Sequence, residues 1–201
     1  AQIDTGNMMQ ALLKLAISKD ILILNQQTVT SYVDNGNKVK IVLEDFTFTS
    51  KKVLFATNGF ANALTKGEVK PARAQVLITK PIENLDIKGT FHLDKRYYYF
   101  SNSGDRILLG GGRNLDFERE TPTEVGQTEI IQNKLEQLLK DVILPNKNFE
   151  VEHRWSGIMG VGNSKNPIVS QLSENVYCGV RLGGMGIAIG SLIGTELADL
   201  V

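Results

Sequence analysis

The sequence predicts an α+β fold, in which mixed and antiparallel sheet is segregated from a few helices. Two observations carry that expectation. Helical periodicity is confined to residues 4–19, 122–142 and 185–201, while the chain between them consists of short β runs. Those runs are punctuated by hairpin signals, the strongest being Asp34-Asn35-Gly36-Asn37.

Residues 4–19 are expected to form a helix capped by Asp4 or Thr5, with Met8, Met9, Leu12, Leu13, Ala16 and Ile17 as its apolar stripe. Short strands are expected next at 21–24, 28–33, 38–43 and 46–49. A buried strand at 52–56 then ends in Thr57-Asn58-Gly59. From Pro71 the strands lengthen, at 73–79, 90–93, 96–100 and 106–110, with Asn102-Ser103-Gly104-Asp105 as one of the turns. Thr121-Pro122-Thr123-Glu124 has capping-box spacing with proline at the first helical position, which predicts a helix from there to Val142, stopped by Pro145. Its inner face takes Ile130, Ile131, Leu135, Leu138 and Leu139. Further strands are expected at 149–155 and 176–180, and a last helix from Met185 to Val201. Residues 1–69 and 151–201 read as one layer, with 70–150 as an inserted or neighbouring sheet.

Composition narrows the function classes. Lys and Arg number 22 and Asp and Glu number 22, so the formal net charge is zero and nothing attracts nucleic acid or an anionic lipid surface. The single cysteine, Cys178, cannot form an internal disulfide and points to a reducing compartment. In an apolar strand it reads as a small buried residue. The longest apolar stretch, 182–195, is too short to span a bilayer, and a cytoplasmic location is expected. The chain opens on Ala1 with helix-forming residues directly behind it, which suggests a processed or truncated chain. His92 and His153 lack metal-ligand spacing, so no metal is expected.

The most informative segment is Val180-Arg181-Leu182-Gly183-Gly184-Met185-Gly186-Ile187-Ala188, where a strand enters a glycine-rich turn and then a helix. The helix start offers free N–H groups and a partial positive charge, suited to an anion or a polarised carbonyl. Gly186, Gly190 and Gly194 recur on one helix face, each costing roughly 1 kcal/mol relative to alanine. Close packing on a sheet or a ligand would offset that cost, and spacing alone does not choose between them. The segment is not a GxGxxG phosphate loop. Two further segments could edge a crevice but read first as plain turns and packing: Ala56-Thr57-Asn58-Gly59 after an apolar strand, and Arg154-Trp155-Ser156-Gly157-Ile158-Met159.

Taken in order, these pieces resemble the D-amino-acid oxidase and glycine oxidase family of FAD-dependent oxidoreductases. The resemblance runs from Ile3-Asp4-Thr5-Gly6, through the hairpin ending at Gly59 and the Arg154–Gly157 element, to the Gly183–Gly186 turn. It implies a substrate-side sheet domain at 70–150 and, from 1–69 and 151–201, the C-terminal part of a Rossmann-like FAD domain. Implied cofactor contacts are Val29 at the adenine end, Ala56, Thr57 and Gly59 beside the cofactor, and Gly183, Gly184, Met185, Gly186, Ile187 and Ala188 facing the flavin pyrimidine ring. Tyr97 takes the place of a substrate-facing, catalytic tyrosine, and a strand there would give Tyr99 the same face. Arg113, Trp155 and Met159 complete the implied pocket, although Arg113 reads first as a solvated loop residue and Trp155 as core packing.

The sequence departs from the family in two ways. The dinucleotide fingerprint is missing, so the implied partner is an N-terminal nucleotide-binding segment, without which this chain is expected to hold FAD poorly. The arginines that grip a substrate carboxylate are replaced by Met159 and by Leu182-Gly183-Gly184, with Arg181 displaced. The expected reaction is oxidation of an amine or amino-acid-like molecule by hydride transfer to FAD. A flavoenzyme acting on a 2-hydroxy acid, or a binding module of the same fold without redox chemistry, remain open alternatives.

Overall fold

In a computed structural model that describes residues 2–201, Asp4 caps the first helix, α1 (Thr5–Ser18): its Oδ1 accepts the Asn7 amide N–H at 2.9 Å. The expected apolar stripe is present, yet no residue of α1 is buried. Met9, Leu12, Leu13 and Ile17 are all exposed, and so are Ile21, Leu22, Ile23 and Leu24 directly behind the helix. Residues 21–24, expected to be a strand, are irregular. Their apolar, β-branched composition favours extended chain, but a strand exists only through a ladder, and among the described residues no neighbour supplies one.

The hairpin signal is borne out. β1 (Val29–Asp34), β2 (Val39–Leu43) and β3 (Thr47–Ser50) form an antiparallel sheet in that order. The first turn closes with the Asn35 amide donating to the Lys38 carbonyl at 3.1 Å. Val39, Ile41 and Leu43 alternate inward and pack with Val176, Val53 and Phe55.

Those partners belong to the second sheet, where β4 (Val53–Phe55) runs parallel to β11 (Val176–Val180), itself antiparallel to β10 (Ile168–Ser173). All five residues of β11 are buried, as expected of a strand covered on both faces, and Cys178 sits among them. β10 escapes the sequence reading because its polar and apolar residues do not alternate cleanly after Pro167. Pieces from before residue 70 and after residue 150 thus share one sheet.

The largest sheet is antiparallel throughout. Its order is β6 (Thr90–Leu93), β7 (Tyr98–Ser103), β8 (Arg106–Gly111), β5 (Lys70–Thr79), β9 (Val151–Val161). β9 pairs with β5 along almost its whole length, carrying this sheet beyond residue 150. One face presents Leu77, Tyr98, Phe100, Ile107 and Leu109 to the helix α2 (Glu129–Leu138), whose Ile131 and Leu135 complete the main core.

α2 starts later than the capping box predicts. The Thr121 hydroxyl instead donates to the Phe117 carbonyl at 2.6 Å, and residues 121–128 stay irregular. Tertiary contacts outweigh the local signal here. Arg73 donates twice to the wholly buried Glu120, Gln75 and Thr128 donate to the same carboxylate, and the Gly126 amide donates to Ser156. Beyond Leu138 the helix widens into a π turn at Leu139–Ile143. The last helix, α3 (Gly186–Asp199), rests Ile193 and Leu197 on Gly179 of β11. Among the described residues no helix is long and apolar enough to cross a membrane.

Candidate functional site

Three segments singled out from sequence meet at the end of β9. The 3-10 turn Asn58–Phe60 packs against it so closely that a β-carbon on Gly59 would lie 2.8 Å from the Met159 carbonyl oxygen. A β-carbon on Gly160 would lie 2.6 Å from Asn58 Oδ1. That same oxygen accepts the Leu182 amide N–H at 3.0 Å, and the Gly183 amide donates to the Gly160 carbonyl at 2.9 Å. Asn58 therefore ties the turn after β4 to the glycine-rich turn after β11. It was not among the expected site residues, although an Asn before Gly after an apolar strand is the available signal: its φ of 43° is the left-handed region that Asn tolerates. Met159 completes the junction, its Sδ 3.2 Å from where a β-carbon on Gly184 would stand.

The glycine-rich turn aims a helix start outward. Arg181 (φ 64°), Gly183 (φ 56°) and Gly184 (φ 81°) reverse the chain, and Arg181 is held there by Nε donating to the Asn166 carbonyl at 2.8 Å and by Glu68. Among the described residues, no hydrogen bond takes up the amides of Gly184, Gly186 or Ile187. Met185 and Ile187 are exposed beside them. A β-carbon on Gly190 or Gly194 would meet nothing within 4 Å. Among the described residues nothing therefore packs on α3 at those two glycines, and the helix start beside them keeps its unpaired N–H groups. A flat, electron-rich group with a carbonyl to polarise fits that cradle.

The face of the large sheet opposite α2 is open. Register places His92, Tyr99, Gly110, Val76 and Trp155 in one row across all five strands. Tyr99 lies down over Gly110, whose added β-carbon would be 2.6 Å from the Tyr99 hydroxyl oxygen and 2.5 Å from Val76 Cγ1. Burial against these neighbours pushes the Tyr99 phenol upward, so it stays protonated and neutral. Trp155 is 40% exposed on the same face. Gly157, next on β9 along this face, opens onto empty space, and Met159 follows it.

Tyr97 and Arg113 lie elsewhere. Tyr97 is not in a strand. A short 3-10 turn at Asp94–Arg96 leaves it with helical φ and ψ, which breaks the alternation expected to give it the face of Tyr99. Its ring meets Phe117 edge-on at 6.5 Å, and the Arg113 guanidinium lies over the same Phe117 ring at 4.9 Å. Arg113 Nε also donates to the Glu120 carbonyl at 3.4 Å. Burial lowers the guanidinium pKa, with Glu120 acting against the shift.

Val29, Ala56 and Thr57 come together in a cleft of about 990 Å³ between the first two sheets, walled also by Phe48, Leu54 and Phe60. Its lining is mainly apolar, and Lys52 stands at the rim with Nζ 5.2 Å from the Tyr177 ring centroid.

Known proteins share this architecture. The model of a family described as FAD dependent oxidoreductase matches residues 1–200. A protein of Haemophilus influenzae named probable oxidoreductase OrdL is 19% identical over 205 residues, covering 94% of this chain and 45% of the relative. Among solved structures, glycine oxidase from Geobacillus kaustophilus superposes with a TM-score of 0.77 at 18% identity, over 95% of this chain and 52% of that one. L-proline dehydrogenase from P. horikoshii gives 0.76 at 18% identity, over 96% and 54%. At such identities the structures establish the fold. The chain spans about half the length of the relatives it matches.

Proposed function

The chain belongs to the FAD-dependent oxidoreductase family, and from that premise we propose that it forms the substrate-side part, and some of the cofactor-side part, of a flavoenzyme. The substrate is an amine or amino-acid-like small molecule. When bound, FAD supplies the two-electron chemistry by accepting a hydride from the substrate.

The observation that carries this reading is the junction at Asn58. It fixes the start of α3, with its free amides, beside the end of the open sheet face. The residues fit the cofactor. Gly184, Gly186 and Ile187 offer N–H groups and the positive end of α3, which stabilise negative charge on a pyrimidine carbonyl. Gly190 and Gly194 leave room for a flat ring system. Val29, Ala56 and Thr57 line an apolar cleft suited to an adenine. On the substrate side, Tyr99, its phenol kept neutral by burial, and the half-exposed Trp155 orient the small molecule. Tyr97 and Arg113 gather around Phe117, apart from this row.

Residues 1–201 contain no GxGxxG fingerprint. The pyrophosphate anchor therefore comes from another segment. Its docking surface includes residues 21–24, whose four apolar side chains are exposed and which have no strand partners among the described residues.

Visible spectra test the reading. Protein expressed from the complete gene should be yellow and release FAD on heating, while the 201-residue chain alone should stay almost colourless. A complete protein that remains colourless with added FAD would replace the oxidoreductase reading with a binding module of the same fold.

A further inference from the structure

One side chain is missing from the open face of the large sheet. β5 and β9 pair without a register shift from Ala72 and Met159 to Val76 and Trp155, so alternate residues keep to one face. On that face β9 carries Trp155, Gly157 and Met159, opposite Val76, Ala74 and Ala72 of β5. Gly157 and Ala74 are partners at the middle of the stretch. Gly157 is exposed, and a β-carbon added to it would meet nothing within 4 Å. Gly59, Gly110 and Gly160 are each required by a close neighbour, but Gly157 is not. It lies inside a strand and outside the left-handed region, so no turn calls for glycine there either. Glycine weakens a strand interior, and the close approach of another molecule is one use that offsets the cost.

The resulting dent has walls. Trp155 and Met159 each stand two residues, about 7 Å, along the strand from Gly157. Trp155 is 40% exposed and Met159 is half-buried. Between these walls neither strand places a charged side chain on this face; the next charge on β5 is Lys70, beyond Ala72. Met159 also joins the dent to the glycine-rich turn, its Sδ lying 3.2 Å from the point that a Gly184 β-carbon would occupy. The unpaired amides before α3 are therefore one wall away. Packing an alkyl chain against an indole, a thioether and an alanine methyl raises affinity about fourfold for each methylene group buried.

We propose that this dent receives a short alkyl side chain of the substrate, and that Gly157 determines which substrates fit. The reaction rests on the flavoenzyme reading, whereas the dent rests on β5 and β9 alone.

The complete protein tests both. Its FAD content is measured, and binding is followed by anaerobic calorimetry after reduction with dithionite, so that no turnover adds heat. Two pairs of probes are compared: hexylamine with ethylamine, and DL-norleucine with DL-alanine. In at least one pair the longer probe should bind roughly tenfold tighter. Gly157→Val fills the dent with a residue suited to a strand, and should reduce that ratio to about twofold or less, with Gly157→Ala between the two. A ratio that survives Gly157→Val, even with both affinities lowered, would overturn the dent. So would equal affinities within both pairs, or no binding by any probe. Loss of FAD from Gly157→Val would place the cofactor over Gly157 and overturn it as well. Failure of the selectivity in an FAD-loaded protein leaves the flavoenzyme reading standing. A complete protein that takes up no FAD, yet loses chain-length selectivity on Gly157→Val, keeps the dent and sinks that reading.

Discussion

Asp34, the last residue of β1, accepts the backbone N–H of Asn175 on Oδ2 at 2.8 Å and the Asn175 side-chain amide on Oδ1 at 3.1 Å. Ser173 donates to the same carboxylate at 2.6 Å, so one side chain pins the first sheet to the β10–β11 turn. These bonds, from Ser173 first and then Asn175, hold the Asp34 carboxyl far below the usual carboxylate range. A depressed folded-state pKa stabilises the protein above the unfolded-state value of about 3.9, and that contribution disappears as pH falls through the folded value. Asp34→Asn should therefore lower the melting temperature at neutral pH and make the melting curve less sensitive to pH below about 4. Parallel acid titrations of the two proteins by circular dichroism would refute this if their slopes coincide.

The hairpin that ends in Asp34 was legible because Asp-Asn-Gly-Asn encodes its own turn, and β11 because a run of apolar residues needs no partner to be recognised. The start of α2 was not. Thr121 and Glu124 satisfy a local rule, but Glu120, Gln75 and Ser156 decide the backbone, and they lie far apart in sequence. Tyr97 failed for a similar reason, since one turn of 3-10 helix shifts a side chain off the face that alternation assigns. The glycine-rich turn could be located from sequence. Its tie to Asn58 could not, because the hydrogen bond spans 124 residues.

Asn58 should be more sensitive than its position in a short turn suggests. Asn58→Ala removes the acceptor for the Leu182 amide and places a residue ill-suited to φ 43° in the turn. A loss of about 1–3 kcal/mol is expected from the unpaired amide. Asn58→Gly loses the same bond but relaxes the backbone, so thermal unfolding should rank wild type above glycine and glycine above alanine. Alanine equal to or better than glycine would mean that the left-handed backbone carries no cost here.

Glu120 and Arg73 form the most buried ion pair, with side chains 0% and 11% exposed. Burial alone would raise the Glu120 pKa, but the hydrogen bonds from Arg73, Gln75 and Thr128 outweigh it and hold the carboxyl below its ordinary range. Glu120→Ala leaves the guanidinium without its partner and should cost about 3–5 kcal/mol in urea unfolding. Replacing both, as Arg73→Met with Glu120→Leu, should cost clearly less than the two single changes summed. Additive losses would show that the pair is not coupled.

Gly110 tests the row across the open face. A methyl group there would overlap Val76 Cγ1, at 2.5 Å, and the Tyr99 hydroxyl oxygen, at 2.6 Å. Gly110→Ala should destabilise the chain by about 1–3 kcal/mol, as other overpacked sites do. Combining it with Tyr99→Ala should recover part of that loss. A double variant no better than Gly110→Ala would place the strain at Val76 instead.

Leu22 separates the stability of this chain from its assembly into a flavoprotein. It is 80% exposed, in the apolar segment that has no strand partners among the described residues. Leu22→Asp removes little packing from the chain itself, so its melting should be unchanged to within about 0.5 kcal/mol. In the complete protein the same aspartate would sit in the proposed interface with the nucleotide-binding segment, where an unpaired charge is strongly unfavourable. Flavin content after purification should then fall severalfold while the isolated chain melts as before. Undiminished flavin in the complete protein would show that residues 21–24 stay open to solvent, and the docking surface would have to exclude them.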